Sequence, residues 1–337
     1  MAAEIAEQPQ ALRRLLNDGM AALREVADVV ARRRPRFVLL AARGTSDHAA
    51  LYAKYLIEIT LGLPVGLASP STLTTYGSRP DLEGTLWIAV SQSGGSPDLV
   101  DSTRTARECG ALTLAVTNAA GSPLAEASEL ALDVLAGPEL AVAATKSYTS
   151  ELLALYLLIE IWGGGDASSS RALPDLAEEV LSRAVGVQVA PRYRFVERLV
   201  ITARGYAYPT AREAALKMME TSYLSAHAFS GADLMHGPLA MIDQDRPVIA
   251  IVAPGAGCAA LLPVLDRLRD RGADVLIVGD GTVAPWATAT APLPETDERL
   301  APILQILPLQ QMAHAMAVAR GYDPDVPRGL KKVTETH

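Results

Sequence analysis

Three polar stretches of this 337-residue chain have the residue types and spacing that chemistry requires. The first is Ser91-Gln92-Ser93-Gly94-Gly95-Ser96-Pro97. A hydroxyl-dense, glycine-containing turn that opens a helix on proline presents backbone N–H groups, serine donors and the positive end of a helix dipole to an anion. That describes a phosphate cradle, although an ordinary serine-capped strand-to-helix turn uses the same residues. The stretch has neither the Gly-Lys-Ser/Thr of a nucleotide P-loop nor a Gly-x-Gly-x-x-Gly fingerprint, so nucleotides are not its first expected ligand. A second polar turn, Arg43-Gly44-Thr45-Ser46-Asp47, adds Thr45 and Ser46 as candidate phosphate donors.

The third stretch is Glu213-Ala214-Ala215-Leu216-Lys217-Met218-Met219-Glu220, followed by Asp233-Leu234-Met235-His236-Gly237-Pro238. At helical spacing Glu213, Lys217 and Glu220 share roughly one face, which suits either a solvated ion-pair stripe or acid–base machinery. In the second case a carboxylate one turn from an ammonium moves a proton while the ammonium steadies developing negative charge. His236, before Gly-Pro, starts a turn and can exchange a proton near neutral pH. Of the other histidines, His48 and His227 read as helix-surface or capping residues, His314 as helix packing, and His337 ends the chain.

The elements that must carry these residues follow from hydrophobic periodicity. Leu12, Leu15, Leu16, Met20, Leu23, Val26 and Val30 recur at helical spacing, predicting one helix over about 9–32. Phe37–Ala42, Leu86–Val90 and Ala111–Val116 read as apolar strands, with helices over Asp47–Ile59 and Pro97–Cys109 between them. Such alternation implies right-handed βαβ units and a parallel sheet covered on both faces. In a doubly wound sheet the loops at neighbouring carboxyl ends share one crevice, which would bring Thr45 and Ser46 to Ser91, Ser93 and Ser96.

The pattern then repeats. Leu199–Ala203, Val248–Ile251 and Val275–Val278 are three more strands, and Ala42-Arg43-Gly44 matches Ala203-Arg204-Gly205 at the same offset of 161 that relates Ile88-Ala89-Val90 to Ile249-Ala250-Ile251. Gly110-Ala111 matches Gly272-Ala273 at 162. The expected fold is therefore α/β, a duplication of two parallel sheets flanked by helices in a three-layer, flavodoxin- or Rossmann-like arrangement. The expected organisation is a first domain with its amino-terminal helix over 1–165, a linker helix over 166–190 after the Gly- and Ser-rich stretch 163–170, a second domain over 191–322, and a tail over 323–337. Only the first copy has a polar loop after its second strand; the second reads Val252-Ala253-Pro254-Gly255-Ala256-Gly257.

Composition excludes several classes. Half the residues are hydrophobic, which rules out disorder, and only 5% are aromatic, which disfavours an aromatic-rich β-sandwich. A formal charge of −8 argues against a nucleic-acid partner. Cys109 and Cys258 sit in no metal-ligand spacing and read as buried structural thiols. The acidic amino terminus lacks signal-peptide order, and the longest uncharged apolar run, Leu152–Ile159, is far below the roughly 20 residues of a membrane span. No membrane association and a cytoplasmic location are expected.

Taken together, Arg43-Gly44-Thr45-Ser46, Ser91-Gln92-Ser93-Gly94, Val142-Ala143-Ala144-Thr145-Lys146, Glu213 to Tyr223, His236-Gly237-Pro238-Leu239-Ala240 and Pro327-Arg328-Gly329-Leu330-Lys331-Lys332 resemble the sugar isomerase (SIS) family over essentially the whole chain. The similarity is to members with two SIS domains, above all the isomerase half of glutamine–fructose-6-phosphate aminotransferase (glucosamine-6-phosphate synthase) and its stand-alone relatives. It implies that Ser46, Ser91, Gln92, Ser93 and Ser96 hold a sugar phosphate and that Val142 helps enclose the sugar. It further implies that Glu220 shuttles a proton between C1 and C2, that Lys217 supports the charge, and that His236 opens the sugar ring from the neighbouring subunit of a homodimer. Lys332 matches a lysine that meets the keto sugar as an imine. No metal or organic cofactor is implied.

The departures from the synthase shape the expected activity. The chain begins at the isomerase helix without a glutaminase domain, so glutamine is not expected to be its own ammonia source. Gly95-Ser96-Pro97-Asp98 and Met219 look more like the stand-alone amino-sugar-phosphate deaminases. The expected function is conversion of an amino-sugar 6-phosphate, glucosamine 6-phosphate foremost, to fructose 6-phosphate and ammonia through an enolamine. The alternatives are an ammonia-dependent aminotransferase/isomerase, a fructosamine-6-phosphate deglycase and a non-catalytic sugar-phosphate sensor.

Overall fold

The computed structural model describes residues 1–332, so the last five residues of the expected tail, 333–337, lie outside the described residues. The first sheet consists of β1 (Phe37–Ala42), β2 (Val65–Leu67), β3 (Thr85–Ser91), β4 (Leu112–Thr117) and β5 (Leu130–Asp133). All its pairings are parallel and the order is β2-β1-β3-β4-β5. The second contains β6 (Arg198–Ala203), β7 (Ser225–Ser230), β8 (Val248–Val252), β9 (Val275–Gly279) and β10 (Ala289–Pro292). It too is parallel throughout, ordered β10-β9-β8-β6-β7. Counted by position in each copy the order is identical, so the duplication expected from three sequence anchors extends to the whole sheet.

Every residue of β3, β4, β8 and β9 is buried. A strand buried on both faces needs helices above and below, which the βαβ crossovers supply. In the first sheet's core Trp87 packs with Leu99, Val100 and Leu124, and its indole N–H donates to Thr103 Oγ1 at 3.1 Å. In the second, Val248, Ala250 and Val252 meet Leu261, Val264 and Leu268 of the helix Ala256–Asp270. Cys109 and Cys258 are free and half-buried at the margins of these two cores rather than inside them.

The chain forms two compact units. One contains the first sheet and, among the described residues, comprises Gln10–Leu140, Lys146–Arg171 and 330–332; the other contains the second sheet and comprises Met1–Pro9, Ala141–Thr145 and Ala172–Gly329. The single helix expected over 9–32 is instead Ala2–Ala6, Gln8–Asp18 and Met20–Arg33. It breaks at Gly19, a poor helix residue at a point where a Cβ would meet Leu15 Cδ1 at 2.6 Å and the Leu15 carbonyl at 2.8 Å. The helix expected from Asp47 begins earlier, at Gly44, and passes at Ile57 into a π-turn that ends on Gly62 in the left-handed region. Among the described residues no helix is long and apolar enough to cross a membrane.

The helix Ala301–Ala319 is the main internal support of the second unit and is buried along most of its length. The short helix Val185–Val189 lies against it so closely that a Cβ on Gly186 would approach the Pro308 carbonyl oxygen to 1.9 Å. Gly186→Ala should therefore force the two helices apart at a cost of about 1–3 kcal/mol. Urea or thermal unfolding followed by circular dichroism measures this, and an unchanged midpoint would contradict the packing.

Candidate active site

β1 and β3 are neighbours in register, with Ala42 opposite Val90. The chain leaves them in opposite lateral directions, so the crevice at their carboxyl ends is the switch point where such sheets bind ligands. The turn after β1 and the loop after β3 emerge there side by side. Arg43 ties them together: its Nε donates to Asp98 Oδ2 at 2.9 Å and its Nη2 lies at 2.7 Å, while Asp98 sits buried in the first turn of the helix Pro97–Glu108.

The Ser91–Ser96 loop is shaped by its own hydroxyls and by Gly94. Ser91 Oγ accepts from the Gly94 N–H at 3.2 Å and Ser93 Oγ accepts from the Gly95 N–H at 3.3 Å. Gly94 has φ of +61°, and a Cβ there would strike Ser122 Oγ at 2.1 Å, so only glycine fits. The Gln92 carbonyl accepts from the Asn118 N–H at 3.2 Å, anchoring the loop to the end of β4. Ser96 occupies the position before the helix, yet its hydroxyl makes no capping bond. Ser91, Gln92, Ser93 and Ser96 are thus gathered at one helix N-terminus. Thr45 is half-buried in the first turn of the helix Gly44–Leu56. Ser46 is turned elsewhere: buried, it donates to Glu151 Oε1 at 2.9 Å on the helix Lys146–Trp162.

The same unit holds Lys332. Its ammonium meets Glu139 Oε2 at 3.2 Å, and Glu139 also accepts from the Ser147 hydroxyl at 2.6 Å and the Ser147 N–H at 3.1 Å. Sequence reasoning gave no role to Arg43 and Asp98, though both stand in the motifs it quoted, and passed over Glu139 and Glu151. The one available signal was an acid within an apolar stretch, as Glu139 is in Leu132–Thr145 and Glu151 is in the helix that follows.

In the second unit the helix Tyr208–Ser222 carries Glu213, Lys217 and Glu220. The ion-pair stripe is not solvated, because Glu213 and Lys217 have no exposed side-chain surface. Lys217 Nζ stands 3.3 Å from Glu213 Oε1 and 2.5 Å from Glu220 Oε2. Burial by itself would lower the Lys217 pKa, but the two carboxylates more than offset it and hold the group above its ordinary 10.5. Glu220 keeps 20% of its side chain exposed, so this buried charge cluster meets solvent through one carboxylate.

The residues that follow that helix fasten the tail. Tyr223 takes the left-handed conformation that ends the helix, its hydroxyl accepts from the Arg328 N–H at 2.9 Å, and the Arg328 guanidinium lies 4.1 Å over its ring. Tyr322 closes the other side, 5.0 Å from the same guanidinium.

His236 ends the short helix Gly231–Met235 as an exposed residue, and its backbone N–H bonds the Asp233 carbonyl. Among the described residues no hydrogen bond or ion pair joins its ring to the Lys217 cluster. Val142 is half-buried within the Ala141–Thr145 segment of this unit. His48 proves buried rather than at a helix surface, and His227 stands on β7 instead of a helix, bonded to Ser225 at 3.2 Å. His314 lies half-buried on the helix Ala301–Ala319, while His337 falls outside the described residues.

Comparison with known proteins agrees with both sheets. The family model described as the SIS domain matches residues 33–161 and again 194–320. Glutamine–fructose-6-phosphate aminotransferase [isomerizing] of Methanothermobacter thermautotrophicus is 36% identical over 98% of this chain, and that of Symbiobacterium thermophilum is 38% identical over 98%. The chain spans 56% and 58% of the lengths of those two relatives. Among solved structures, the C-terminal domain of glucosamine-fructose-6-phosphate aminotransferase from Francisella tularensis aligns with a TM-score of 0.85 at 26% identity, covering 97% of each chain. Glucosamine-6-phosphate deaminase from Thermotoga maritima shares the fold with a TM-score of 0.83 at 21% identity, covering 99% of each.

The buried cluster has a measurable signature. Lys217→Met removes the buried cation that faces Glu213 and should destabilise the protein by about 3–5 kcal/mol, most of which a second change, Glu213→Leu, should restore. Since the folded-state pKa of Lys217 is raised, its stabilisation is complete below the ordinary value of 10.5 and is lost only as pH rises through the folded value. Denaturant unfolding of the wild-type, Lys217→Met and Lys217→Met/Glu213→Leu proteins from pH 6 to pH 10 should show the loss and its rescue, with the Lys217 contribution undiminished across that range, and equal stability of the Lys217→Met and wild-type proteins would refute the cluster.

Proposed function

The chain belongs to the SIS-domain family, and from that premise we propose that it is a sugar-phosphate isomerase that deaminates an amino-sugar 6-phosphate, with glucosamine 6-phosphate as substrate and fructose 6-phosphate and ammonia as products. The observation that carries this reading is Lys217, wholly buried between two carboxylates of which only Glu220 meets solvent. A sensor needs a place for the phosphate but has no use for a carboxylate held against a buried ammonium. An enzyme that moves a proton between adjacent carbons needs that pair.

In this reading the open-chain sugar loses its C2 proton to Glu220, and the electron pair passes into C1–C2 to give an enolamine. Glu220 returns the proton to C1, which leaves a ketimine at C2. Water adds to that carbon, ammonia departs, and a ketone remains. Lys217 acts by its field on the negative charge that develops at O1. Thr45, Ser91, Gln92, Ser93 and Ser96 hold the phosphate at the positive end of the helix Pro97–Glu108. Ser46 joins them only by releasing Glu151. Val142 helps enclose the sugar. Lys332, once its ammonium has given up a proton, attacks the ketone carbon and the carbonyl oxygen leaves as water to form the imine; the contact with Glu139 at 3.2 Å supports that carboxylate as the acceptor of the proton.

His236 is assigned to ring opening and, being exposed and unattached to the Lys217 cluster, to the site of a second copy in a homodimer. The reverse reaction, amination of fructose 6-phosphate by free ammonia, uses the same steps, and the names of the aminotransferase relatives favour testing it beside the deamination. Ammonia release from glucosamine, galactosamine and fructosamine 6-phosphates by the purified protein decides among the activities. Release from none, with no amination in reverse, would return the protein to the sensor reading.

Two results should follow. Glu220→Gln preserves shape and hydrogen bonds but not basicity, so affinity for fructose 6-phosphate should persist while turnover falls by about 10²–10⁴-fold. Exchange of the C2 hydrogen with deuterated solvent, followed by NMR, reports the step directly; undiminished exchange in Glu220→Gln places the base elsewhere. Mixing inactive Glu220→Gln and His236→Ala proteins under conditions of subunit exchange should regenerate activity, and continued inactivity after proven exchange would keep His236 in its own subunit's site.

A further inference from the structure

The second sheet has its own crevice, at the carboxyl ends of β8 and β9, and it is built differently from the first. Where the first copy leaves a helix N-terminus beside serine hydroxyls, here the N-terminus of the helix Ala256–Asp270 is already occupied. Glu298 Oε1 accepts from the Gly257 N–H at 2.7 Å and Oε2 from the Ala256 N–H at 3.1 Å. Gly255 and Gly257 are what admit this carboxylate, since a Cβ on either would come within 2.2 or 2.8 Å of it. A carboxylate stands where a phosphate would bind.

Beside it is a cavity of about 230 Å³ that contains no cationic side chain in its lining. Gln305, from the helix Ala301–Ala319, reaches its wall with only 1% of its surface exposed, and neither its amide oxygen nor its amide nitrogen has a partner. Leaving such a group unpaired is costly, and a ligand with a donor and an acceptor side by side would recover that cost. Gly279, at φ +122°, packs against this side chain: a Cβ there would lie 1.9 Å from the Val252 carbonyl oxygen and 3.5 Å from the Gln305 amide nitrogen. Pro254, Leu293 and Leu304 supply apolar walls, while Asp280 and Glu295 supply negative charge. Burial, then Asp280 and Glu298, push the nearby Cys258 thiol above its ordinary range, in keeping with a negative potential here.

We infer that this cavity is a second small-molecule site, separate from the sugar-phosphate chemistry, for an uncharged flat ligand of the nucleobase or nucleoside type. The amide of Gln305 matches the adjacent donor and acceptor of a base edge, as glutamine does with adenine. Apolar walls suit the faces of a ring, and the carboxylates suit hydroxyls and repel phosphate. Glu298 is the specificity element: it fills the anion position and so excludes nucleotides.

Adenosine titrated into the full chain by calorimetry, with ligand-observed NMR in parallel, is the test. Saturable binding is expected, with adenosine 5′-monophosphate weaker by about tenfold or more because its phosphate meets Glu298, Asp280 and Glu295. Gln305→Leu should weaken adenosine by about tenfold or more, yet leave the unfolding temperature equal or higher, because it removes an unpaired buried amide. Gln305→Met should give the same loss if the leucine variant fails to fold. Glu298→Ala should narrow the gap between adenosine and its monophosphate by freeing the helix N-terminus. No saturable binding of adenosine at several millimolar, or equal binding by both Gln305 variants and wild type, would overturn the inference.

Discussion

An ammonium that water cannot reach must be neutralised where it lies, and Lys217 imposes that condition on much of the second unit. Its partners sit four residues before and three residues after it, so one helix supplies the whole arrangement and must stay helical across both. Thr221, one residue beyond Glu220, returns its hydroxyl to the Lys217 carbonyl at 2.8 Å, and Ser222 bonds the Ala313 carbonyl of the helix Ala301–Ala319 at 3.4 Å. Tyr223 then turns the chain and receives the tail at Arg328. Along the eleven residues 213–223 these contacts leave Glu220 as the one carboxylate of the cluster that reaches solvent. A carboxylate held on one side by a buried cation and open on the other has little freedom left to lose, and preorganisation of that kind is what acid–base chemistry exploits.

Duplication gave the molecule two helix N-termini at equivalent places, after β3 and after β8, and they differ in charge. In the first copy the acid of that turn, Asp98, pairs with Arg43. In the second, the carboxylate of Glu298 accepts from the backbone N–H groups of Ala256 and Gly257. The same strand order therefore carries a hydroxyl-rich loop at one helix N-terminus and a bound carboxylate at the other, without a change in backbone topology.

Central strands were legible because they carry apolar runs, and a run such as Leu86–Val90 between turn signals admits few other readings. The edges were not. β2 has three residues, β5 reads Leu130-Ala131-Leu132-Asp133, and β7, Ser225-Ala226-His227-Ala228-Phe229-Ser230, has the polar alternation of a half-exposed strand. Their structure is imposed by the neighbours they pair with, not by their own pattern. The hydroxyl loop stood out because its counterpart in the second copy lacks hydroxyls, and the Glu-Lys-Glu cluster because helical spacing is local. The Ser46–Glu151 and Arg43–Asp98 bonds join residues 105 and 55 apart, and no local spacing encodes them. Burial decided between the two readings of Lys217, and burial is a property of the fold.

The interleaved membership of the two units has a consequence for how the protein is made. Residues 1–9 belong with the second sheet: the Gln8 amide donates to Gln310 Oε1 at 2.8 Å, and Glu4 accepts from the Ala141 N–H at 3.1 Å. They leave the ribosome about three hundred residues before Gln310 exists. Leu330–Lys332, conversely, complete the unit whose first sheet was translated long before. Residues 1–9 meet their partner on the helix Ala301–Ala319 only once Gln310 has been made, and the unit of the first sheet gains residues 330–332 only after all its strands.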